Sequence, residues 1–176
     1  RVPVAVRHCE AYSEDPYLNA EIGLGFVLGV QSENIGTSLK HFVANNQEHM
    51  RRTGSSNMDQ RTLREIYMPA FEKIVKQAKP WTVMAAYNKV NGVFMTENKS
   101  LLQDVLKEEW GFNGVVVSDW GALHTTALAL DAGLDLEMPG PAKHYGAELL
   151  TAIEQGDVDV NSLNNSVKRL LTLVIK

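Results

Sequence analysis

The sequence predicts an α/β fold, specifically a partial (β/α)8 TIM-like barrel that corresponds to roughly the second half of one. Short apolar strands alternate with amphipathic helices, as in parallel sheets, where consecutive strands need helical connections. Neither GxGxxG nor GxxxxGK[ST] occurs, so the alternative, a doubly wound nucleotide-binding sheet, lacks its usual phosphate loop. Polar residues follow the strands, where a barrel places its active site. These are Lys40-His41, Tyr87, Asp119 and Glu137.

Length and composition favour one ordinary globular unit. The 176 residues are 44% hydrophobic and 22% charged, close to the averages of globular proteins. Seventeen Lys plus Arg against 21 Asp plus Glu give a net charge of −4 with no basic stripe, which argues against a nucleic-acid partner. The single cysteine, Cys9, excludes an intramolecular disulfide framework. No apolar run reaches the roughly 18 to 20 residues that span a bilayer, so no membrane partner is expected.

The length is short for the predicted architecture. A complete barrel needs about 250 residues, or about 31 for each strand and helix pair. Four clear strands in this chain therefore amount to about half of a barrel. The sequence also starts without Met, and Arg1–Glu10 reads as the middle of a strand or loop. We therefore expect early barrel strands to be missing from this chain, which on this view does not close a barrel alone.

The first predicted helix covers Tyr17–Val30 and follows a turn at Ser13–Pro16. Its apolar residues recur four positions apart, so they would form one buried face. They are Leu18, Ile22, Phe26 and Val30.

A strand, a loop and a second helix come next. The apolar stretch Ile35–Leu39 predicts a strand that leads into Lys40-His41-Phe42, and the polar segment Asn45–Asn57 predicts a long loop. Asp59 can cap a helix that extends to about Ala78. The buried face of this helix is predicted to consist of Leu63, Ile66, Tyr67, Ala70, Phe71, Ile74 and Val75.

The order of strand, polar tip and helix then repeats. Trp81–Ala86 predicts a strand buried on both faces, which ends at Tyr87-Asn88 before a turn at Asn91-Gly92. A helix from Thr96 to about Trp110 would end at Gly111.

The last predicted elements begin with the strand Gly114–Val117, which ends at Ser118-Asp119-Trp120. The others are a helix near Thr125–Asp131, a strand at Leu134–Met138, and helices near Tyr145–Glu154 and Asp159–Val174.

Asp119 is the first candidate for chemistry. It directly follows a β-branched strand, so its carboxylate would project from a rigid element, which suits a nucleophile. From the pattern alone, Asp119 could equally cap the following helix. Trp120 beside it could stack on the apolar face of a sugar ring, or it could plug the barrel rim.

Lys40, His41 and Arg7 are candidates for binding a sugar. Adjacent strand residues point to opposite faces unless the strand has bent into its loop, in which case Lys40 and His41 could both face the barrel mouth. Such donors, converging with carboxylates, suit the hydroxyls of a neutral polyol. The alternatives are a salt-bridged Lys40, a core His41 bonded to the backbone, and a surface ion pair of Arg7 with Glu14 or Asp15.

His41, Glu48 and His49 raise the question of a metal site. Two histidines eight residues apart, with a loop between them, match none of the short ligand spacings that metal sites use. We therefore expect neither a metal nor another cofactor.

Five strings in a fixed order carry a resemblance to a known family. They are RHCEAYSEDPYL at 7–18, KHFVANNQE at 40–48, MAAYNKVNG at 84–92, VSDWG at 117–121 and AGLDLEMPG at 132–140. Together with NSVKRLL at 165–171 they span nearly the whole chain. The sequence thus resembles glycoside hydrolase family 3, the β-glucosidase family.

This resemblance implies a retaining exo-acting glycosidase that releases terminal β-D-glucosyl residues from a β-linked oligosaccharide or glycoside. Asp119 would be the nucleophile that forms a covalent glycosyl-enzyme. Arg7, Lys40 and His41 would bind hydroxyls of the terminal sugar, and Tyr87 would orient the nucleophile. The resemblance also implies an Asp from an early loop and a general acid/base Glu from a C-terminal α/β sandwich domain, both outside these 176 residues.

Two other functions stay open at this point: a β-xylosidase of the same family, and an inactive fragment that binds sugar. A metal-dependent barrel hydrolase is a more distant alternative. The family branch that acts on N-acetylglucosamine sugars carries Lys-His-Phe-Pro-Gly-His-Gly, whereas this chain has Val43-Ala44-Asn45-Asn46 after its Lys-His-Phe. The resemblance favours a secreted or periplasmic location over the cytoplasm.

Overall fold

The computed structural model describes residues 5–176 and contains six strands and six α-helices over that range. The strands are β1 (Ser38–Phe42), β2 (Ser55–Ser56), β3 (Thr82–Ala85), β4 (Lys89–Val90), β5 (Val93–Phe94) and β6 (Val115–Ser118). The α-helices are α1 (Pro16–Gln31), α2 (Gln60–Thr62), α3 (Pro69–Ala78), α4 (Ala127–Asp131), α5 (Leu149–Gln155) and α6 (Val160–Val174). Segments of π-type helix cover Leu63–Tyr67, Ser100–Glu109 and His144–Glu148, and segments of 3-10 helix cover Val6–Glu10 and Met95–Glu97.

The main sheet has the order β1-β3-β6, and both of its strand pairs are parallel. Val117 adds one parallel bridge to Leu136, so the predicted strand Leu134–Met138 is reduced to a single bridge. The backbone N–H groups of Asp135 and Leu136 both donate to the carbonyl of Val116, which leaves no regular ladder there. Parallel strands with helical connections confirm the α/β prediction and are consistent with part of a (β/α)8 barrel.

A second, smaller sheet lies in the loops that follow the main strands. β2 pairs in parallel with β4, and β4 pairs antiparallel with β5 across the predicted turn at Asn91-Gly92. The predicted loop Asn45–Asn57 therefore contains a short strand. Of the predicted segment Arg1–Glu10, residues 1–4 lie outside the described residues. The remainder forms a 3-10 helix over Val6–Glu10, not a strand.

Helix α1 was predicted at the right place but with the wrong buried face. Leu18, Ile22 and Phe26 are 42 to 57% exposed, whereas Gly23 and Val27 are buried. A Cβ atom at position 23 would lie 2.8 Å from Ile74 Cδ1 of α3, so the glycine allows the two helices to approach closely. The side of α1 that packs on α3 is therefore the one that carries Gly23 and Val27, not the one predicted from the four-residue apolar spacing.

The single helix predicted from Asp59 to Ala78 is divided into three parts. Asp59 caps α2 as predicted, with its carboxylate accepting from Thr62 N at 2.6 Å. A π-type turn over Leu63–Tyr67 follows, and α3 restarts at Pro69, which has no N–H to continue the helix. The predicted buried face is otherwise correct except for Ile66, which is 36% exposed.

Three other predicted elements need adjustment at their ends. The strand predicted from Ile35 starts at Ser38 and includes Lys40 and His41. The helix predicted from Thr96 is divided into a 3-10 turn over Met95–Glu97 and a π-type helix over Ser100–Glu109. Asn98 lies between them, and its Oδ1 accepts a hydrogen bond from the backbone N–H of Leu101. The helix near Tyr145 consists of an irregular π-type segment, His144–Glu148, and α5.

The hydrophobic core lies directly beneath the ends of the strands. Phe42, the last residue of β1, has no exposed surface and meets Phe71 and Trp110 edge to face, with ring centroids 5.2 and 5.9 Å apart. Edge-to-face pairs add to the free energy gained from burial alone. Phe42 therefore fixes the end of β1, immediately after His41. Within residues 5–176, none of the helices has the length and apolar character that a bilayer crossing requires.

A buried ion pair joins the last strand bridge to two helices. The Asp135 carboxylate is fully buried and binds Lys107 Nζ at 3.0 Å, Ser166 Oγ at 2.9 Å and the backbone N–H of Val116 at 2.8 Å. Arg169 of α6 lies 3.4 Å away. Burial lowers the pKa of Lys107 to about 8, although the charge of Asp135 opposes this shift. The cluster thus ties the Ser100–Glu109 helix and α6 to the sheet.

We expect Asp135→Ala to lower the free energy of unfolding of the full polypeptide by about 3–5 kcal/mol, because it leaves Lys107 buried without its main counter-charge. Asp131→Ala is the matched control, since it removes an exposed carboxylate four residues earlier and should change stability by no more than about 0.5 kcal/mol. Urea unfolding of both variants checks the prediction. Equal stability of the two variants would contradict it.

Candidate functional site

The candidate site lies where the three main strands end at the same level. Phe42 pairs with Ala85, and Ala85 pairs with Ser118. The ladder continues past the strands, because Ala86 N donates to Phe42 O at 2.7 Å and Asp119 N donates to Ala85 O at 3.1 Å. The residues at the carboxyl ends of β1, β3 and β6 are therefore brought to one edge of the sheet, as predicted for a barrel mouth.

Asp119 has one carboxylate oxygen bound and one available. Its Oδ1 accepts from the backbone N–H of Trp120 at 2.7 Å. Its Oδ2 is buried and has no hydrogen-bond partner within residues 5–176. The alternative that Asp119 caps the next helix is wrong, since α4 begins eight residues later, at Ala127. A carboxylate with a fixed orientation and a free oxygen can attack an electrophile.

His41 lies between two carboxylates. Its Nε2 is 3.6 Å from Asp119 Oδ2, and its Nδ1 is 3.8 Å from Glu10 Oε2. The side chain is only 10% exposed, and burial, followed by the charge of Lys40, lowers the pKa of His41 below its ordinary value. The imidazole is thus neutral at pH 7, and it faces acidic side chains, unlike a core histidine bonded to the backbone.

Lys40 and His41 reach the same carboxylate although they are neighbours in a strand. Lys40 Nζ lies 3.3 Å from Glu10 Oε1. The register of β1 against β3 shifts between Leu39 and Phe42, and such an irregularity re-aims side chains that would otherwise alternate. Both side chains therefore reach Glu10, and Lys40 forms the salt bridge that was its alternative. That both residues face the barrel mouth stays a prediction.

Arg7 is largely buried, at 12% side-chain exposure, and contacts two carboxylates. Its Nη2 donates to Glu10 Oε2, and its Nη1 donates to Glu48 Oε2 at 2.5 Å. Burial opposes the positive charge, but the hydrogen bonds and charges of Glu48 and Glu10 outweigh burial and raise the pKa of Arg7. The alternative of an exposed surface ion pair does not describe this arginine.

Tyr87 and Trp120 form the other side of the site. The Tyr87 hydroxyl donates to the backbone carbonyl of Trp120 at 2.9 Å. Burial, and then the charge of Asp119, raise the pKa of Tyr87, so the phenol stays protonated. Trp120 is 49% exposed among residues 5–176, so these residues do not enclose its side chain. Its role in stacking on a sugar stays a prediction.

Glu137, the fourth strand-end residue, has a different function. Its carboxylate accepts from the backbone N–H groups of residues 143, 144 and 145 at 2.7 to 3.2 Å. It therefore holds the start of the segment before α5. Both carboxylate oxygens of Glu137 therefore accept hydrogen bonds from this segment and not from groups around Asp119.

A cavity of about 420 Å³ adjoins the site on the β1 side. Its polar end is formed by Arg7, Glu10, Lys40, His41 and Asn45, and its apolar end by α1 and α3. Both polar atoms of the Asn45 amide and the Nε of Arg7 are buried without a hydrogen-bond partner within residues 5–176. Asp119, Tyr87 and Trp120 do not line this cavity, and His41 connects it to Asp119.

The structure adds three charged residues that the sequence did not single out, Glu10, Arg51 and Arg52, and it shows Glu48, which the sequence raised only as a metal ligand, bound to arginines. Glu10 and Glu48 bind Arg7, as described above. The guanidinium groups of Arg51 and Arg52 lie 5.1 and 5.2 Å from the centroid of the Tyr87 ring, and Arg51 also pairs with Glu48 at 3.1 Å. Glu10 stands inside the motif that contains Arg7, which is the one signal that could have found it. Arg51 and Arg52 stand in a loop without periodicity.

His41 and Glu48, which the sequence raised as potential metal ligands together with His49, contact other charged side chains in the described part of the chain. Over residues 5–176, no group of three or more His, Cys, Asp or Glu side chains is arranged to hold a metal ion. Glu48 instead binds Arg7 and Arg51.

Comparison with known proteins gives a consistent result. The glycosyl hydrolase family 3 N terminal domain matches residues 1–173. Thermostable beta-glucosidase B of Acetivibrio thermocellus is 49% identical over 99% of this chain, and an exo-alpha-(1->6)-L-arabinopyranosidase of Bifidobacterium breve is 48% identical over 100%. This chain spans 23% of the length of each.

A solved structure shows the same fold. Beta-glucosidase 3B from Thermotoga neapolitana, in complex with alpha-D-glucose, matches with a TM-score of 0.93 at 43% identity. The match covers 98% of this chain and 25% of that one.

The charges around His41 give a test of the site geometry. Lys40→Met removes a nearby positive charge and should raise the pKa of His41, whereas Asp119→Asn removes a negative charge and should lower it. In the unchanged protein the pKa should lie below 6.5. NMR titration of the 13C-histidine-labelled full polypeptide, with the signal assigned by His41→Gln, measures all three. Shifts of the same sign in the two variants would show that His41 does not lie between these charges.

Proposed function

This chain belongs to glycosyl hydrolase family 3, and we propose from this membership and from the site that it forms part of the catalytic barrel of a retaining, exo-acting β-glucosidase. The observation that carries the proposal is the Asp119 carboxylate, which is buried directly after β6, with Oδ1 held by a hydrogen bond and Oδ2 without a hydrogen-bond partner among the described residues. Its surroundings contain the donors that a sugar needs. The chain spans about a quarter or less of the relatives named above, so the activity belongs to the full polypeptide.

In the first step, Asp119 attacks the anomeric carbon of the terminal glucosyl residue. A bond forms between Oδ2 and this carbon while the bond to the glycosidic oxygen breaks, and the leaving oxygen takes a proton from a general acid. The backbone N–H of Trp120 holds Oδ1 and so orients the carboxylate. A nucleophile fixed in this way needs little reorganisation before it reacts.

In the second step, water hydrolyses the glycosyl-enzyme. The water attacks the same carbon, its proton goes to the general base, and the Asp119 carboxylate is released, with overall retention of configuration. The acid and the base are the same group in such a mechanism. In this proposal a glutamate of a C-terminal domain supplies it, as the family resemblance implies.

Arg7, Lys40 and His41 are proposed to bind hydroxyls of the terminal sugar. Arg7 and Lys40 supply charged N–H donors, and the neutral imidazole of His41 supplies one donor and one acceptor. Tyr87, held through the carbonyl of Trp120, supports the loop that carries the nucleophile. The exposed ring of Trp120 offers an apolar face for the sugar or the aglycone.

A second candidate is an exo-α-L-arabinopyranosidase. The relative with this name is nearly as similar to the chain as the β-glucosidase of Acetivibrio thermocellus, at 48% against 49% identity. L-Arabinopyranose and D-xylopyranose lack the exocyclic hydroxymethyl group of glucose. Parallel assays with aryl β-D-glucoside, β-D-xyloside and α-L-arabinopyranoside therefore decide between the three sugars.

Asp119→Asn should lower kcat on an aryl β-glucoside by about a thousandfold or more, because the amide cannot form the covalent intermediate. The matched control is Asp131→Asn, which alters an exposed carboxylate on α4 and should retain full activity. The assay uses the full polypeptide that carries this sequence. Trapping with a 2-fluoro glucoside, followed by peptide mass analysis, should place the sugar on Asp119. Unchanged turnover in Asp119→Asn would overturn the assignment.

A further inference from the structure

One carboxylate faces all three side chains that are proposed to bind the sugar. Glu10 ends the 3-10 helix Val6–Glu10 and lies beside β1. Its Oε2 accepts from Arg7 Nη2 and lies 3.8 Å from His41 Nδ1, while its Oε1 accepts from Lys40 Nζ at 3.3 Å. Glu10 therefore joins two segments that are about 30 residues apart in sequence.

We propose that Glu10 is a positioning residue that holds Arg7, Lys40 and His41 in the arrangement that binds the terminal sugar. This inference rests on the function proposed above and extends it to a residue outside the catalytic set. Glu10 acts through its neighbours, and nothing in the proposal requires it to touch the substrate.

Two cationic side chains meet at Glu10. Arg7 and Lys40 carry like charges on long side chains, and Lys40 is 47% exposed. Without a carboxylate between them, they would repel one another, Lys40 would sample many rotamers, and Arg7 would keep only its contact with Glu48. The sugar would then have to order both side chains on binding. Glu10 neutralises part of this charge and fixes both ends before the sugar arrives. Preorganisation of this kind increases affinity without any contact to the ligand.

The carboxylate keeps its charge in this environment. Partial burial alone would raise the pKa of Glu10, but the positive charges of His41 when protonated, of Arg7 and of Lys40 outweigh burial and lower it. Glu10 is therefore ionised at neutral pH. The charged groups that face His41 are Lys40 and Arg7, which lower its pKa, and Asp119 and Glu10, which raise it.

Glu48 provides an internal comparison. It also accepts from Arg7, at 2.5 Å, and it pairs with Arg51 at 3.1 Å. Over residues 5–176, Glu48 forms no ion pair with Lys40 or His41. Glu10→Gln and Glu48→Gln thus each remove one carboxylate partner of Arg7. Only Glu10→Gln also removes the carboxylate that faces Lys40 and His41.

The experiment compares glucose affinity by calorimetry and the kinetics of aryl β-glucoside hydrolysis in the full polypeptide. Glu10→Gln should raise the Kd for glucose and the KM by about tenfold, the range for loss of a charge-assisted hydrogen bond, with a smaller change in kcat. Glu48→Gln should raise both by about threefold or less. Glu33→Gln, which alters an exposed carboxylate after α1, should leave both unchanged. Glu10→Asp restores the charge and should recover part of the affinity.

A pH profile separates positioning from a merely structural role. Removing the charge of Glu10 leaves His41 facing Lys40 and Arg7 with one fewer carboxylate, so His41 protonates at lower pH. We expect the acid limb of the kcat/KM profile to move to lower pH in Glu10→Gln but not in Glu33→Gln. A defect in folding alone would lower the amplitude of the profile without this shift.

The outcomes distinguish this inference from the proposed function. If the unchanged protein binds glucose and Asp119→Asn abolishes turnover, but Glu10→Gln affects Kd and KM no more than Glu48→Gln does, only the role of Glu10 is overturned. If the unchanged protein neither binds glucose nor hydrolyses the glucoside, both proposals fail. If Glu10→Gln does not fold, Glu10→Asp decides, since a carboxylate one methylene shorter should still raise the Kd, and an unchanged Kd would overturn the inference.

Discussion

The candidate site depends on the register of three parallel strands. Phe42, Ala85 and Ser118 are in register, and hydrogen bonds continue from Ala86 to Phe42 and from Asp119 to Ala85. A slip of one residue in any strand would turn its side chains to the opposite face of the sheet. Between Leu39 and Phe42, β1 itself gains one residue against β3, and His41 lies in this irregular stretch, where its imidazole approaches the carboxylate of Asp119. Burial of Phe42 against Phe71 and Trp110 holds the register at the end of β1.

Two groups of buried charges illustrate how the same chain uses carboxylates for different purposes. Asp135 is surrounded by Lys107, Ser166, Arg169 and the backbone of Val116, so its charge is balanced entirely within the protein. Such an arrangement stabilises packing between elements. Asp119, by contrast, retains an oxygen without a hydrogen-bond partner among the described residues. An unpaired buried acceptor costs free energy of folding, and such costs concentrate where a protein binds or reacts.

The parts of the fold that the sequence predicted correctly depend on local signals. The β-branched run before Asp119, the cap at Asp59 and the stop at Gly111 each act within a few residues, and each was found. The buried face of α1 was predicted wrongly because the fit of Gly23 against Ile74 involves a helix about 50 residues away. Pro69 likewise divides a helix whose apolar periodicity continues through it. Periodicity reports which residues could share a face, and packing decides which face is used.

The sequence by itself determined the family, the parallel α/β architecture and the polar residues that follow each strand, because these are written in contiguous strings and short apolar runs. Only the tertiary structure decided which of those polar residues act together. Glu137 is used by the backbone before α5, whereas His41 and Asp119 approach within 3.6 Å. Glu10 joins Arg7 to Lys40 and His41 through ion pairs between a 3-10 helix and a strand. The ion pairs with Lys40 and His41 form between residues that are far apart in the sequence. They therefore leave no periodic pattern that could be detected in the sequence.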